Sequence, residues 1–199
     1  MRSDLAVVSQ WVQPGARVLD LGCGDGALLA YLQQQRQVQG YGLELNPDKL
    51  QQCLGHGVNV IQRDLNAGLD DFRNQSFDVV ILSQALQVVE APDALLRDML
   101  RVGRQGIVTF PNFGHWSTRL GLLLNGRMPR TRSLPAHWYD TQNIHLCTLK
   151  DFEALCAEEG FAIVRRAVTD ANHQHNAGAR IWPNLRAEVG LYLLEGAGE

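Results

Sequence analysis

The chain has 199 residues, a length typical of one domain with a core large enough to fold unaided. Its formal net charge is −3 and its lysines and arginines are spread along the sequence, which argues against a nucleic-acid partner. No stretch is long and apolar enough to span a bilayer, no export signal is recognisable, and the four cysteines show no CxxC spacing. We therefore expect residues 1–199 to form a single cytoplasmic domain with no membrane partner.

Short β-rich runs alternate with amphipathic helical stretches, a pattern typical of βαβ units and a mostly parallel sheet. Asn46 followed by proline, and Thr148 three residues before an aspartate, are typical N-terminal helix caps. The last two strands are joined across about 15 residues without an obvious helix, which predicts an antiparallel hairpin. The predicted strands are 16–21, 39–45, 58–61, 77–83, 106–110, 161–169 and 185–194, and the predicted helices are 3–12, 26–36, 46–55, 92–103 and 148–160.

Residues 111–148 do not fit this alternation, because they contain no clean βα unit. The segment is rich in aromatic side chains, prolines and arginines, and we interpret it as an insertion with a function of its own. Its conspicuous members are Phe113, His115, Trp116, Arg127, Arg130, Arg132, His137, Trp138 and Tyr139.

The strongest chemical signal is a glycine-rich turn at the end of the first predicted strand. It reads Asp20-Leu-Gly22-Cys23-Gly24-Asp-Gly26, and such a turn lets backbone amides approach a ligand at the edge where doubly wound sheets bind cofactors. The spacing Gly22-x-Gly24-x-x-Ala also satisfies the dinucleotide fingerprint. The turn by itself therefore leaves two cofactor classes open.

Acidic residues after three successive strands favour S-adenosylmethionine over a dinucleotide. Asp20 precedes the glycines at a position where a pyrophosphate would be repelled and an ammonium group attracted. Glu44 ends the second strand, where either cofactor class needs a carboxylate for its ribose hydroxyls. Asp64 follows the third strand, where it can accept from an adenine amino group, so that an acid follows each of three successive strands. Ser83 and Gln84 follow the fourth strand, at the same edge of the predicted sheet.

These residues resemble the first motif and strand-end acids of class I S-adenosylmethionine-dependent methyltransferases, over roughly residues 16–111. The resemblance implies an α/β, Rossmann-like fold with a mostly parallel seven-stranded sheet, an antiparallel C-terminal hairpin and helices on both faces. It implies S-adenosylmethionine or S-adenosylhomocysteine as the cofactor. The predicted cofactor-binding residues are Asp20, Gly22, Cys23, Gly24, Gly26, Glu44, Leu45, Asp64, Leu65, Ser83 and Gln84.

A more particular resemblance covers nearly the whole chain to about residue 160. The stretches 109–116, 126–129 and 138–148 are similar to the methionine biosynthesis protein MetW family, as are 41–44 and 83–87. Gln142 stands where that family usually has proline, which affects only the shape of the insertion. The resemblance implies a role in methionine biosynthesis as an accessory partner of homoserine O-acyltransferase.

Two hypotheses remain open at this stage, since a fold licenses cofactor binding but not chemistry. The first is a catalytic methyltransferase for a small molecule, with His115, Tyr139 or His145 deprotonating or orienting the acceptor. The second is an accessory subunit whose insertion contacts the acyltransferase. We expect no metal site, because His173-x-His175 has no third ligand nearby in the sequence, and no catalytic residue is assigned.

Overall fold

The computed structural model describes residues 3–131, 133–169 and 181–196. Within these residues a seven-stranded sheet runs in the order β3-β2-β1-β4-β5-β7-β6. The first five strands are parallel, and β7 runs antiparallel to both β5 and β6, which confirms the predicted sheet and hairpin. The strands are β1 (Arg17–Leu21), β2 (Gln39–Glu44), β3 (Asn59–Gln62), β4 (Phe77–Ser83), β5 (Gly103–Pro111), β6 (Ala162–Thr169) and β7 (Val189–Glu195).

Helices cover both faces of the sheet. The described helices are α1 (Ser3–Trp11), α2 (Ala27–Arg36), α3 (Pro47–Gly55), α4 (Pro92–Val102), α5 (Trp116–Asn125), α6 (Leu149–Glu158) and α7 (Pro183–Arg186). None of these helices is long and apolar enough to cross a membrane.

The two core layers follow from the alternation of side chains along each strand. In β1, Leu19 and Leu21 are fully buried in the layer that contains α4 and α6, whereas Val18 belongs to the layer beneath α1 and α2. The first layer is centred on Phe110, Phe152 and Tyr192, whose ring centroids lie 4.7–5.8 Å apart.

Both predicted caps are confirmed. Asn46 Oδ1 accepts from the backbone N–H of Asp48, with Pro47 at the first helical position of α3. Thr148 and Asp151 form a capping box at the start of α6, each side chain accepting from the other residue's backbone N–H. These local bonds fix where the two helices begin.

The structure differs from the predicted elements in three main places. The strand predicted at 106–110 begins three residues earlier, at Gly103. The segment 111–148, predicted to contain no clean βα unit, contains α5, which His115 caps by accepting from the N–H of Ser117. The last strand begins at Val189 instead of 185, because Pro183 opens the short helix α7 there. A proline supplies no N–H to a sheet but suits the first turn of a helix.

Asn112, in the segment that follows β5, joins three elements in the second half of the chain. It is 1% exposed, and its Nδ2 donates to the carbonyls of Asn184 and Ala187 at 3.1 and 2.7 Å. Its Oδ1 accepts from the N–H groups of Gly114 and Leu149 at 2.9 and 3.3 Å. One buried amide therefore fixes the end of β5 against the starts of α6 and β7.

Candidate functional site

A cavity of about 970 Å³ opens at the carboxyl ends of β1, β2 and β4. The chain passes from β1 outward to β3 and then returns to β4 beside β1, and such a reversal leaves a crevice between the two strands. Ten of the eleven predicted residues line this cavity: Asp20, Gly22, Cys23, Gly24, Glu44, Leu45, Asp64, Leu65, Ser83 and Gln84.

Gly26 is the exception, because it does not line the cavity. It caps α2 with φ +76°, and a Cβ there would lie 3.0 Å from the Sγ atom of Cys53. The glycine is thus required by the tight turn and by packing against α3.

The other two glycines of the turn shape the cavity floor. Gly22 and Gly24 have φ values of +67° and +60°, which favour glycine. A Cβ on Gly22 would lie 3.3 Å from that of Ala85, whereas a Cβ on Gly24 would meet no described atom within 4 Å. Because Gly24 lines the cavity, that open space is available to a ligand.

The Glu44 carboxylate organises the turn as well as lining the cavity. It is 8% exposed, and Oε2 accepts from the backbone N–H of Gly24 at 2.9 Å. Oε1 accepts from the N–H groups of Leu45 and Asn46 at 3.0 and 2.9 Å. An ionised carboxylate has about four acceptor positions, so one position on Oε2 remains for a ligand hydroxyl. The sequence predicted the second role only.

The two remaining predicted acids differ in exposure. Asp20 is 2% exposed in β1, at the floor of the cavity. Asp64 is exposed, caps a short turn by accepting from the N–H of Asn66 at 2.9 Å, and also lines the cavity. The three carboxylates therefore line a single cavity, as their positions after successive strands predicted.

Thr109 of β5, which is fully buried, positions the residues that follow β4. The backbone N–H of Gln84 donates to its carbonyl oxygen and to its Oγ1 at 2.9 and 3.1 Å, and Ser83 Oγ lies 3.3 Å from that hydroxyl. These bonds hold Gln84 at φ +58°, a conformation that a residue with a side chain adopts at a cost. Strain of this kind is concentrated at functional sites.

Cys23 is a packing residue of the turn. Its Sγ lies 3.7 Å from Cys53 Sγ, and Cys53 Sγ donates to the carbonyl of Gly24 at 3.1 Å. Burial, and beyond it the nearby Asp20 carboxylate, raises the pKa of Cys23 far above its ordinary value, and burial also raises the pKa of Cys53. Both thiols are therefore protonated at neutral pH and add no negative charge to the cavity.

The cavity has further lining residues that were not in the predicted cofactor-binding set, among them Lys49, Arg63 and Gln142. Gln142 comes from the insertion. The segment that carries it is held beside the cavity because the carbonyl of Gln87 accepts from the N–H groups of Ile144 and His145 at 2.9 and 3.0 Å. No sequence signal indicated that contact, since its two sides are more than fifty residues apart.

The three residues considered as acid–base groups all lie outside the cavity lining. His145 has its Nε2 3.2 Å from the carbonyl of Glu90, and Tyr139 is 68% exposed and stacks on His137. His115 is buried, burial lowers its pKa, and its Nδ1 lies 2.7 Å from Ser117 Oγ. The described aromatic side chains of the insertion likewise do not line the cavity.

Two predicted features cannot be placed. The histidine pair His173 and His175 and the arginine Arg132 lie outside the described residues. Among the residues that the structure does describe, no group of three metal-ligating side chains occurs.

Solved structures with the same fold define the class of this protein. An S-adenosylmethionine-dependent methyltransferase from Mesorhizobium loti matches with a TM-score of 0.71 and 18% identity, over 96% of this chain and 97% of that one. Phosphoethanolamine N-methyltransferase 2 of Haemonchus contortus, solved in complex with S-adenosylmethionine, matches with a TM-score of 0.70 and 16% identity, over 98% and 52% of the chains. The protein thus has the Rossmann-like fold of S-adenosylmethionine-dependent methyltransferases.

The sequence identifies the family within that class. Residues 2–194 match the family model of the methionine biosynthesis protein MetW, and the chain belongs to that family. A curated relative, the bifunctional methionine biosynthesis protein MetXA/MetW of Rhodopirellula baltica, is 33% identical over 189 residues. The match covers 90% of this chain but only 30% of the relative.

Proposed function

We propose that this protein binds S-adenosylmethionine or S-adenosylhomocysteine and acts in methionine biosynthesis as an accessory partner of homoserine O-acyltransferase. The observation that carries the cofactor proposal is the set of three carboxylates, Asp20, Glu44 and Asp64, around one cavity with a glycine turn at its floor. The partner proposal is supported by the family match and by the bifunctional relative, whose name joins MetXA and MetW in one protein. Two activities that occur in one protein of one organism often belong to associated proteins in another. The proposed location is the cytoplasm.

The residues of the cavity fit the chemical groups of this cofactor. Asp20 at the buried floor is suited to the ammonium of the methionine moiety. Glu44 has one acceptor position left for a ribose hydroxyl. Asp64 has a second carboxylate oxygen that can accept from the adenine amino group. Gly24 leaves room for close approach to the backbone.

The accessory reading is also consistent with where the candidate acid–base residues lie. His115, Tyr139 and His145 are held by neighbours away from the cavity, so the insertion does not direct these groups at a bound cofactor. An insertion that supplies a surface for a protein partner does not need to place acid–base groups beside the cofactor. Its side chains then serve to recognise that partner.

The proposal is tested by calorimetric titration with S-adenosylmethionine, S-adenosylhomocysteine and NAD, followed by assay of homoserine O-acyltransferase with and without this protein. We expect binding of the two S-adenosyl compounds in preference to NAD, formation of a complex, and a change in acyltransferase activity. Tighter binding of NAD would contradict the cofactor assignment. Absence of a complex on sizing chromatography at micromolar concentrations would contradict the partner assignment.

A catalytic methyltransferase is the second candidate, favoured by the methyltransferase fold and by the strained backbone of Gln84 at the cavity wall. When bound, S-adenosylmethionine would supply an electrophilic methyl group on its sulfonium, which a well-aligned nucleophile can accept while S-adenosylhomocysteine leaves. In this case Ser83, Gln84 and Gln142 would orient the acceptor by hydrogen bonds. Methyl transfer to a small acceptor, measured with the isolated protein, would favour this candidate over the accessory role.

A further inference from the structure

Helix α5 exposes an apolar stripe to solvent. Trp116, Leu120, Leu123 and Leu124 follow the i, i+4, i+7, i+8 spacing that places side chains on one helical face. Their exposed fractions are 50, 43, 80 and 71%. Such a stripe normally faces a core, yet the single buried residue of this ten-residue helix is Thr118. The fold of the described residues therefore does not account for the stripe.

The stripe borders a groove of about 850 Å³ that is separate from the cofactor cavity. Trp116, Leu124 and Met128 line the groove between α5 and the segment that follows it, and Met128 is 45% exposed. Within the described residues, the two cavities share no lining residue. A ligand or partner can therefore occupy the groove without displacing the cofactor.

The exposed area matches that of a protein interface. The stripe and Met128 together expose apolar surface on the order of 400 Å², taking roughly 150 Å² for a whole large side chain. A stable interface of ordinary size buries about 800 Å² on each partner, of which just over half, or about 450 Å², is apolar. The stripe thus supplies nearly all the apolar surface that one side of such an interface needs.

The charges around the stripe favour a partner different from this chain. The rim carries the exposed residues Arg119, Arg127 and Arg130, and residues 112–139 contain no aspartate or glutamate, although the whole chain has a net charge of −3. Among the described residues, Glu188 is the one carboxylate that lines the groove, and the arginines outnumber it. A symmetric dimer would bring this arginine-rich patch against its own copy, and juxtaposed like charges are unfavourable. A partner with an acidic rim would complement it.

From this geometry we infer that the α5 stripe, with its groove and arginine rim, is the docking surface for homoserine O-acyltransferase. This inference rests on the proposed function. The acyltransferase receives the exposed leucines in an apolar groove bordered by carboxylates, an arrangement in which an amphipathic helix binds through i, i+4 and i+7 anchors. The cofactor cavity stays accessible in the complex, so cofactor binding and docking are separable.

The test compares two variants of the full chain against the acyltransferase of the same organism. Leu123→Glu with Leu124→Glu replaces two exposed apolar side chains of the stripe with charged ones, and Arg127→Glu reverses one charge of the arginine rim. The matched control is Leu54→Glu, a leucine of α3 that is 66% exposed and lies outside both cavities. Substitutions at such exposed positions change stability little.

We expect the double leucine variant to weaken the complex at least tenfold by calorimetry and the arginine variant to weaken it several-fold, more so at low salt. The control should stay within twofold, and every variant should bind S-adenosylhomocysteine like wild type. If wild type binds the acyltransferase but the leucine variant binds equally well, the docking surface is elsewhere and the proposed function survives. If wild type does not bind, the proposed function itself fails.

Two further measurements address other occupants of the stripe. Sedimentation of the isolated protein should show a monomer, and a dimer that dissociates in the leucine variant would assign the stripe to self-association. Flotation with phosphatidylglycerol vesicles should leave the protein unbound. Binding to the vesicles that is lost in the leucine variant would assign the stripe to a membrane surface and overturn the inference.

Discussion

Replacing Glu44 by glutamine tests whether one buried carboxylate both builds the turn and binds the ligand. Three backbone N–H groups, those of Gly24, Leu45 and Asn46, donate to this carboxylate at 2.9–3.0 Å. An amide oxygen can still accept from the latter two groups, but the amide nitrogen then faces the N–H of Gly24. One charge-assisted bond is lost and two donors are brought together.

The expected loss of stability follows from those contacts. A hydrogen bond to a charged group contributes about 1.5–3 kcal/mol. One such bond is lost and the acceptor of the two retained bonds becomes neutral, so we expect Glu44→Gln to lower the free energy of unfolding by about 2–4 kcal/mol. For a chain of this size each kcal/mol shifts the unfolding midpoint by about 2–4 °C, which gives a fall of roughly 5–15 °C. The loss of a charged acceptor for ribose should also weaken S-adenosylhomocysteine binding by about tenfold or more.

Asp64→Asn provides the contrast, because Asp64 is exposed and the one hydrogen bond that its carboxylate accepts within the described residues, from the N–H of Asn66, can be kept by an amide oxygen. It should weaken binding but leave the unfolding midpoint within about 2 °C. Differential scanning calorimetry and titration calorimetry on both variants separate the two effects. An unchanged midpoint in Glu44→Gln would refute the structural role argued for its carboxylate, and an unchanged dissociation constant would remove Glu44 from the ligand site.

Two other substitutions have expected outcomes with matched controls. Gly24→Val should abolish S-adenosylhomocysteine binding, measured by calorimetry, in a protein that still folds. The control is Gly15→Val, because Gly15 has a similar positive φ and equally open space but lies away from the cavity. It should show the same modest destabilisation with normal binding. Equal loss of binding in both would mean that backbone strain alone is responsible. Asn112→Ala removes four hydrogen bonds from a buried position and should lower the free energy of unfolding by about 3–5 kcal/mol in urea, while Asn125→Ala at an exposed position should change it by less than about 0.5 kcal/mol. A small effect at Asn112 would show that water replaces its partners.

The sequence by itself determined the seven strands in chain order, five of the seven described helices, the two caps and the glycine turn. These features depend on neighbours within a few residues: the apolar run of β1 that ends at the glycines, the cap bonds of Asn46 and Thr148, and glycines where the chain turns sharply. The acids after β1, β2 and β3 could also be grouped in advance, because parallel strands bring their carboxyl ends to one edge of the sheet.

Only the tertiary structure decided what each side chain does at that edge. That Glu44 binds the N–H of Gly24, or that Thr109 holds Gln84 in a strained conformation, depends on contacts between residues 20 or more positions apart. Sequence spacing also cannot distinguish a glycine that faces a cavity, such as Gly24, from one that packs against a helix, such as Gly26. The exposure of α5 likewise could not be predicted from the sequence, because its leucines have the spacing of a core-facing helix. Only the arrangement of the other elements leaves them in solvent.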